Sequence, residues 1–99
     1  MSVTSNQKEG EIVIRIDGRF DFSSHADFNR AFVNSDGALN HYTVDLSGAS
    51  YLDSSALGML LLLREHAGND SERVVIKNPS PEVRNLLQIA NFMQLFKIT

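Results

Sequence analysis

Val44-Asp45-Leu46-Ser47-Gly48-Ala49-Ser50-Tyr51-Leu52-Asp53-Ser54-Ser55-Ala56-Leu57-Gly58 reads as a β-type run, a loop of small residues and the opening of an apolar helix. Tyr42 to Leu46 carries the β-branched and aromatic residues of a short strand. Ser54 to about Ala67 carries helical spacing, with Leu57, Leu60, Leu61 and Arg64 on overlapping turns. The helix is apolar nearly all round until Arg64, the pattern of an element sandwiched deep in a domain. Gly68-Asn69-Asp70 stops it. The loop therefore delivers one acid, Asp53, and two hydroxyls, Ser54 and Ser55, to a helix N-terminus. Hydroxyls there lie near solvent and beside backbone N–H groups that lack helical partners.

The flanking chain supplies the other elements. Val3 to about Gln7 is a weak edge strand, and Lys8-Glu9-Gly10 is a turn. Glu11 to Asp17 alternates, with Ile12, Ile14 and Ile16 on one face and Val13 and Arg15 on the other, which is a strand with one apolar face. Asp17-Gly18 marks a bend. Ser23 and Ser24 are candidate N-caps for a helix carrying Phe28, Ala31 and Phe32, which Asp36-Gly37 ends. Val74, Val75 and Ile76 form a buried-type strand. Ser80-Pro81-Glu82 opens a helix, with a capping hydroxyl, a proline whose φ is already helical, and an acid at the positive end. Val83, Leu86, Leu87 and Ala90 make its apolar stripe, and Asn91 closes it in the left-handed region. Leu95 to Ile98 is a last short strand. Two strands followed by alternating helices and strands predict an α/β fold, a mostly parallel sheet of four to five strands with one antiparallel edge.

The chain has 99 residues, which points to a single domain over 1–99. A hydrophobic content of 42% is enough for a packed core. Nine Lys and Arg against twelve Asp and Glu give a formal net charge of -3, which argues against direct nucleic-acid binding. Without cysteine there is neither a disulfide frame nor thiolate chemistry. Met1 to Asn6 lacks the basic and apolar blocks of a signal peptide. The apolar run Ala56 to Leu63 is far short of the ~20 residues of a membrane span. A cytoplasmic protein without membrane insertion is the expectation. His25, His41 and His66 lack ligand spacing, so no metal and no cofactor is expected. Phe22, Phe28 and Phe32 are expected in the core, as is Met59, and Lys77 at a strand end.

Asp45-Leu46-Ser47 followed by Asp53-Ser54-Ser55-Ala56-Leu57-Gly58 resembles a STAS domain of the anti-sigma factor antagonist (anti-anti-sigma) type. Gly18-Arg19-Phe20-Asp21 is similar to that family's Gly-x-Φ-Asp segment, where Φ is apolar. Pro79-Ser80-Pro81-Glu82-Val83-Arg84-Asn85-Leu86-Leu87 is similar to its fourth-strand-to-helix joint. The likeness spans nearly the whole chain. It departs from the family at Ala56 and Asn91, where glycine is common, and in lacking a final helix after the last strand. The resemblance implies a STAS fold and a partner-switching role in transcription regulation. The unphosphorylated form would bind an anti-sigma factor that is also a serine kinase. Phosphorylation at Ser54 would release that partner, and a PP2C-type phosphatase would reset the switch.

Ser55 is the competing phosphate acceptor, which spacing alone does not exclude. The expected partner-binding surface comprises Asp21, Ser23, Asp53, Ser54, Ser55, Ala56 and Leu57. From the hexapeptide alone, a serine at a helix start reads first as a cap; the flanking resemblance turns the balance toward a phosphosite.

Other classes fit less well. A serine hydrolase needs a base and an oxyanion hole, and Ser54 is not in a Gly-x-Ser-x-Gly elbow. No Gly-rich phosphate loop is present, so no catalytic residue is assigned and the chain is not read as an enzyme. A phospho-receiver would use Asp45 or Asp53 with Lys77, but Asp17-Gly18 does not supply the acidic pair it needs. The remaining alternative keeps the fold: a STAS subunit bound, without phosphorylation, to the ATPase of a lipid-transport ABC complex.

Overall fold

The computed structural model describes residues 2–99. These form one five-stranded sheet and three α-helices: β1 (Ser2–Lys8), β2 (Glu11–Phe20), α1 (His25–Arg30), β3 (His41–Leu52), α2 (Ser54–His66), β4 (Val74–Lys77), α3 (Pro81–Ile89) and β5 (Lys97–Ile98). Short 3-10 turns cover Phe22–Ser24 and Phe92–Gln94. The spatial order is β1-β2-β3-β4-β5. β1 is antiparallel to β2, and every other pair is parallel. This is the α/β architecture with one antiparallel edge that the element order predicts.

Because each parallel crossover steps the same way across the sheet, right-handed connections place all three helices on one face. Burial agrees. Ile12, Ile14 and Ile16 of β2, Tyr42, Val44 and Leu46 of β3, and Val74 and Ile76 of β4 all point under the helices and are buried. They meet Phe28 of α1, Ala56, Met59, Leu60 and Leu63 of α2, and Val83 and Leu87 of α3 in one cluster. Phe20, Phe28 and Phe32 form a chain of ring contacts with centroids 5.1 and 5.7 Å apart. The other sheet face carries no helix. Across its middle, Arg15 donates to Asp17 (Nε, 3.1 Å), Asp45 (3.2 Å) and Ser47 (3.1 Å). Lys77 of β4 pairs in register with Asp45. Burial pushes the Asp45 carboxyl up, but the Ser47 N–H and hydroxyl and the Arg15 and Lys77 charges outweigh it and hold it below its ordinary value.

Several local expectations are corrected. β2 does not end at Asp17-Gly18 but runs on to Phe20, and the expected bend is an irregularity within the strand, with Gly18 at φ 84°. β3 does not stop at Leu46; the expected small-residue loop continues as strand to Leu52. It does so by two irregularities. Arg15 faces Asp45 but Asp17 faces Gly48, and Gly18 faces Ala49 but Arg19 faces Tyr51. Each inserts one extra residue into β3, as a β-bulge does. The inward positions therefore slip from Leu46 to Ala49 to Leu52, three residues apart instead of two, and all three stay buried.

α1 ends at Arg30, well before Asp36-Gly37, and Phe32 reaches the core from the turn beyond it. α2 is apolar nearly all round but is not sandwiched deep in the domain, since Leu61 and Leu62 are exposed. The last strand is Lys97–Ile98, two residues shorter than expected. Ser80 caps α3 through the Val83 N–H (3.2 Å), and Asn91 is left-handed, both as expected.

Candidate functional site

β3 outruns β4, which pairs it only from Tyr42 to Asp45. β1 still flanks β2 as far as Asp17, and beyond that residue β2 and β3 run on as a two-stranded ribbon whose last pair is Phe20 and Leu52. The ends of the ribbon bring Asp21 and Asp53 side by side, and the Asp53 N–H donates to the Phe20 carbonyl (3.3 Å). Each acid then caps the element that follows it. Asp21 Oδ1 accepts the Ser23 N–H (3.0 Å) and the Ser23 hydroxyl, capping the 3-10 turn at Phe22–Ser24. Asp53 Oδ1 accepts the Ala56 N–H (2.9 Å) and the Ser55 hydroxyl (2.6 Å), capping α2. Before α1 the sequence suggested Ser23 or Ser24 as the cap, and the structure uses Asp21 for the 3-10 turn there; before α2 the acid of the Asp-Ser-Ser element, Asp53, is itself the cap. Ser23 is a ligand of its cap, and Ser24 holds the N-cap position of α1 with no side-chain cap bond.

The bond from Ser55 and then the Ala56 N–H hold the Asp53 carboxyl below its ordinary value, with a smaller contribution from the Arg19 charge. Asp53 is therefore an anion at neutral pH, placed where the helix dipole favours one.

The two candidate serines differ in their commitments. Ser54 is exposed at the first position of α2, and its hydroxyl lies outside the cap bonds. Ser55 is half-buried and spends its hydroxyl on Asp53. Asp21 and Asp53 are half-buried and Ser23 is exposed. Ala56 is fully buried, so it belongs to the core and offers no side chain to a partner. Leu57 is half-buried and packs on the core edge.

Three side chains at this rim were not singled out from the sequence. Phe22, expected in the core, is 71% exposed and stacks on His25 with centroids 5.7 Å apart. The Arg19 guanidinium carbon lies 4.6 Å from the centre of the Tyr51 ring, and Arg19 Nε is 3.7 Å from Asp21 Oδ2. The signal for Arg19 and Tyr51 was their alternation with buried Phe20 and Leu52, visible only once both strands extend that far. Among the described residues, no group of three or more His, Asp or Glu side chains could hold a metal ion. None of their helices is long and apolar enough to cross a membrane.

Comparison with known proteins agrees with this architecture. A family model described as "Mlab, STAS domain" matches residues 3–97. A STAS-domain containing protein of Pseudomonas aeruginosa (strain UCBPP-PA14) is 55% identical over 89 residues, covering 90% of this chain and 88% of its own. Among solved structures, the anti-sigma factor antagonist SpoIIAA in its unphosphorylated form superposes with a TM-score of 0.73 at 22% identity, over 99% of this chain and 87% of that one. The Bacillus cell fate determinant SpoIIAA in the phosphorylated form gives 0.69 at 21% identity, over 99% and 91%. At those identities the likeness to SpoIIAA is one of fold. With a family model spanning nearly the whole sequence and a relative sharing more than half its residues, the chain belongs to the STAS-domain family.

Proposed function

We propose that this STAS domain is an anti-sigma factor antagonist working by partner switching. In this reading the unmodified rim around Asp21, Ser23, Asp53 and Ser54 docks a cytoplasmic anti-sigma factor with serine kinase activity. Phosphorylation of Ser54 releases it, and a PP2C-type phosphatase restores the docking form. The observation that carries the reading is the placement of Ser54: an exposed hydroxyl on the first turn of α2, uncommitted to the cap and next to a carboxylate. A kinase can reach such a group without opening the fold. The fold is also one that SpoIIAA holds in both its phosphorylated and unphosphorylated forms.

The switch follows from charge. A phosphoserine adds about -1.5 to -2 charges at neutral pH, here beside Asp53 and Asp21. A partner packed on that rim has to desolvate the phosphate next to two carboxylates. A penalty of ~2.8 kcal/mol already weakens binding ~100-fold, and an uncompensated buried charge costs several kcal/mol.

The test is capture of partners by wild type, Ser54→Ala and Ser54→Asp, with the phosphate mapped by mass spectrometry after incubation with the captured kinase. Wild type and Ser54→Ala are expected to retain the kinase, and Ser54→Asp to lose it. Equal capture by all three, or a phosphate found only elsewhere, overturns the reading. Recovery of a transporter ATPase at equal yield by all three moves the assignment to an ABC-complex subunit.

A further inference from the structure

The pair of acids at the rim poses an electrostatic problem for a phosphate at Ser54, and one residue is placed to answer it. Of the first-turn N–H groups, that of Ala56 is already engaged by Asp53, on which the Ser55 N–H also acts. Asp21 stands on the neighbouring strand end, and its Oδ1 is occupied by Ser23. A phosphate at Ser54 thus meets two carboxylates and few free donors. The cation at this rim is Arg19. The His25 ring stacks on Phe22.

Arg19 is held loosely. Its side chain is 65% exposed, its contact to Asp21 is a long 3.7 Å, and its other contact is the face of Tyr51. Arg19 and Tyr51 are register partners on the helix-free face, one residue before the Phe20–Leu52 pair that leads into both caps. From there the Arg19 charge already acts on Asp53, the residue adjoining Ser54. A guanidinium prefers the planar, two-pronged bond that a phosphate offers over a long contact to a single carboxylate oxygen.

We propose that Arg19 is the internal receiver of a phosphate on Ser54, turning from the Tyr51 ring and Asp21 to the phosphate and uncovering Tyr51 as it does so. The inference rests on the reading of Ser54 as the modified residue and adds a second component to the switch. Modification then changes the shape of the rim as well as its charge, because a half-exposed tyrosine loses the cation that covers it. Arg19 acts here as a positioning residue.

The experiment uses the full chain with phosphoserine installed at position 54 during translation, so that no kinase is needed. The second ionisation of the phosphate is followed by phosphorus NMR, and the Tyr51 ring resonances are compared with those of the unmodified protein. The free group ionises near pH 6. Arg19→Gln is expected to raise the second phosphate pKa by about half a unit or more relative to the unsubstituted phosphoprotein, since it removes a nearby cation. Arg19→Lys, which keeps the charge, is expected between the two. In the phosphoprotein the Tyr51 ring signals are expected to shift on modification, and to stop doing so in Arg19→Gln.

A phosphate pKa unchanged to within about 0.1 unit in Arg19→Gln overturns the proposal whatever Tyr51 does, half a unit being the effect expected of a lost neighbouring cation. So does an Arg19→Lys value at or above that of Arg19→Gln. Because the phosphate is placed synthetically, either result counts against Arg19 alone. Failure of a kinase to modify Ser54 counts against the switch itself.

Discussion

Replacing Asp53 separates its role in the fold from its place in the docking rim. Its Oδ1 accepts two bonds, from the Ala56 N–H and the Ser55 hydroxyl. Asp53→Ala removes an N-cap from the central helix and is expected to cost about 1 kcal/mol, within the usual range of about 0.5–2. Asp53→Asn keeps an oxygen that caps nearly as well, so its cost at neutral pH is expected to be a few tenths of a kcal/mol. With a urea m-value of about 1–1.5 kcal/mol/M for a domain this small, the alanine variant loses about 0.7–1 M in its unfolding midpoint.

The pH dependence has a definite sign. Folding lowers the Asp53 pKa, chiefly through the bond from Ser55. Its contribution is therefore present above the unfolded value near 3.9 and is lost as pH falls from there through the folded pKa. The stability gap between wild type and Asp53→Asn is expected to hold at pH 7 and 5.5 and to shrink below about pH 4. Chemical unfolding at several pH values, followed by far-UV circular dichroism, measures it. An alanine variant as stable as wild type, or a wild-type–asparagine gap that widens in acid, refutes the account of the cap.

Two further substitutions probe the loop that returns the chain to β3. A Cβ on Gly37 would lie 1.9 Å from the His66 carbonyl oxygen, a backbone atom that cannot swing aside. Gly37→Ala is expected to cost about 2 kcal/mol or more, read as a lower thermal midpoint, and a midpoint within a degree of wild type contradicts that close approach. Arg73 ties down the same loop, donating to the carbonyls of Gly37 (2.9 Å), Ala38 (2.6 Å) and Asn40 (2.8 Å). Arg73→Ala is expected to cost about 1–3 kcal/mol and to speed amide exchange at residues 36–41 ahead of the rest of the domain. Uniform exchange across the domain would show that the clamp is not local.

The parts of the fold that were legible in the sequence are those where one rule acts alone. Ile12, Ile14 and Ile16 alternate because β2 is straight there, and Ser80-Pro81 opens a helix because cap and proline agree. The upper half of β3 was not legible, because each bulge breaks the two-residue period that identifies a strand. Ser47, Gly48 and Ser50 also carry no β preference. Gly48 is small for a reason that only pairing reveals, since a Cβ there would fall 1.9 Å from Asp17 Oδ1. Leu61 and Leu62 misled because a run of leucines looks the same whether one side of the helix is covered or two.

At the site, the Asp-Ser-Ser element was found from its neighbours in sequence. The division of labour within it, with one hydroxyl held by the cap and the other outside it, required coordinates. Arg19 and Tyr51 are 32 positions apart and meet only through strand register.

The uninterrupted strand order has a further consequence. In open α/β sheets, small molecules settle in the crevice that appears where neighbouring connections leave a strand pair in opposite directions. A sheet that advances from β1 to β5 without reversing direction has no such crevice. What it has instead is a rim where the ends of two strands feed directly into capped turns, with Ser54 exposed beside them.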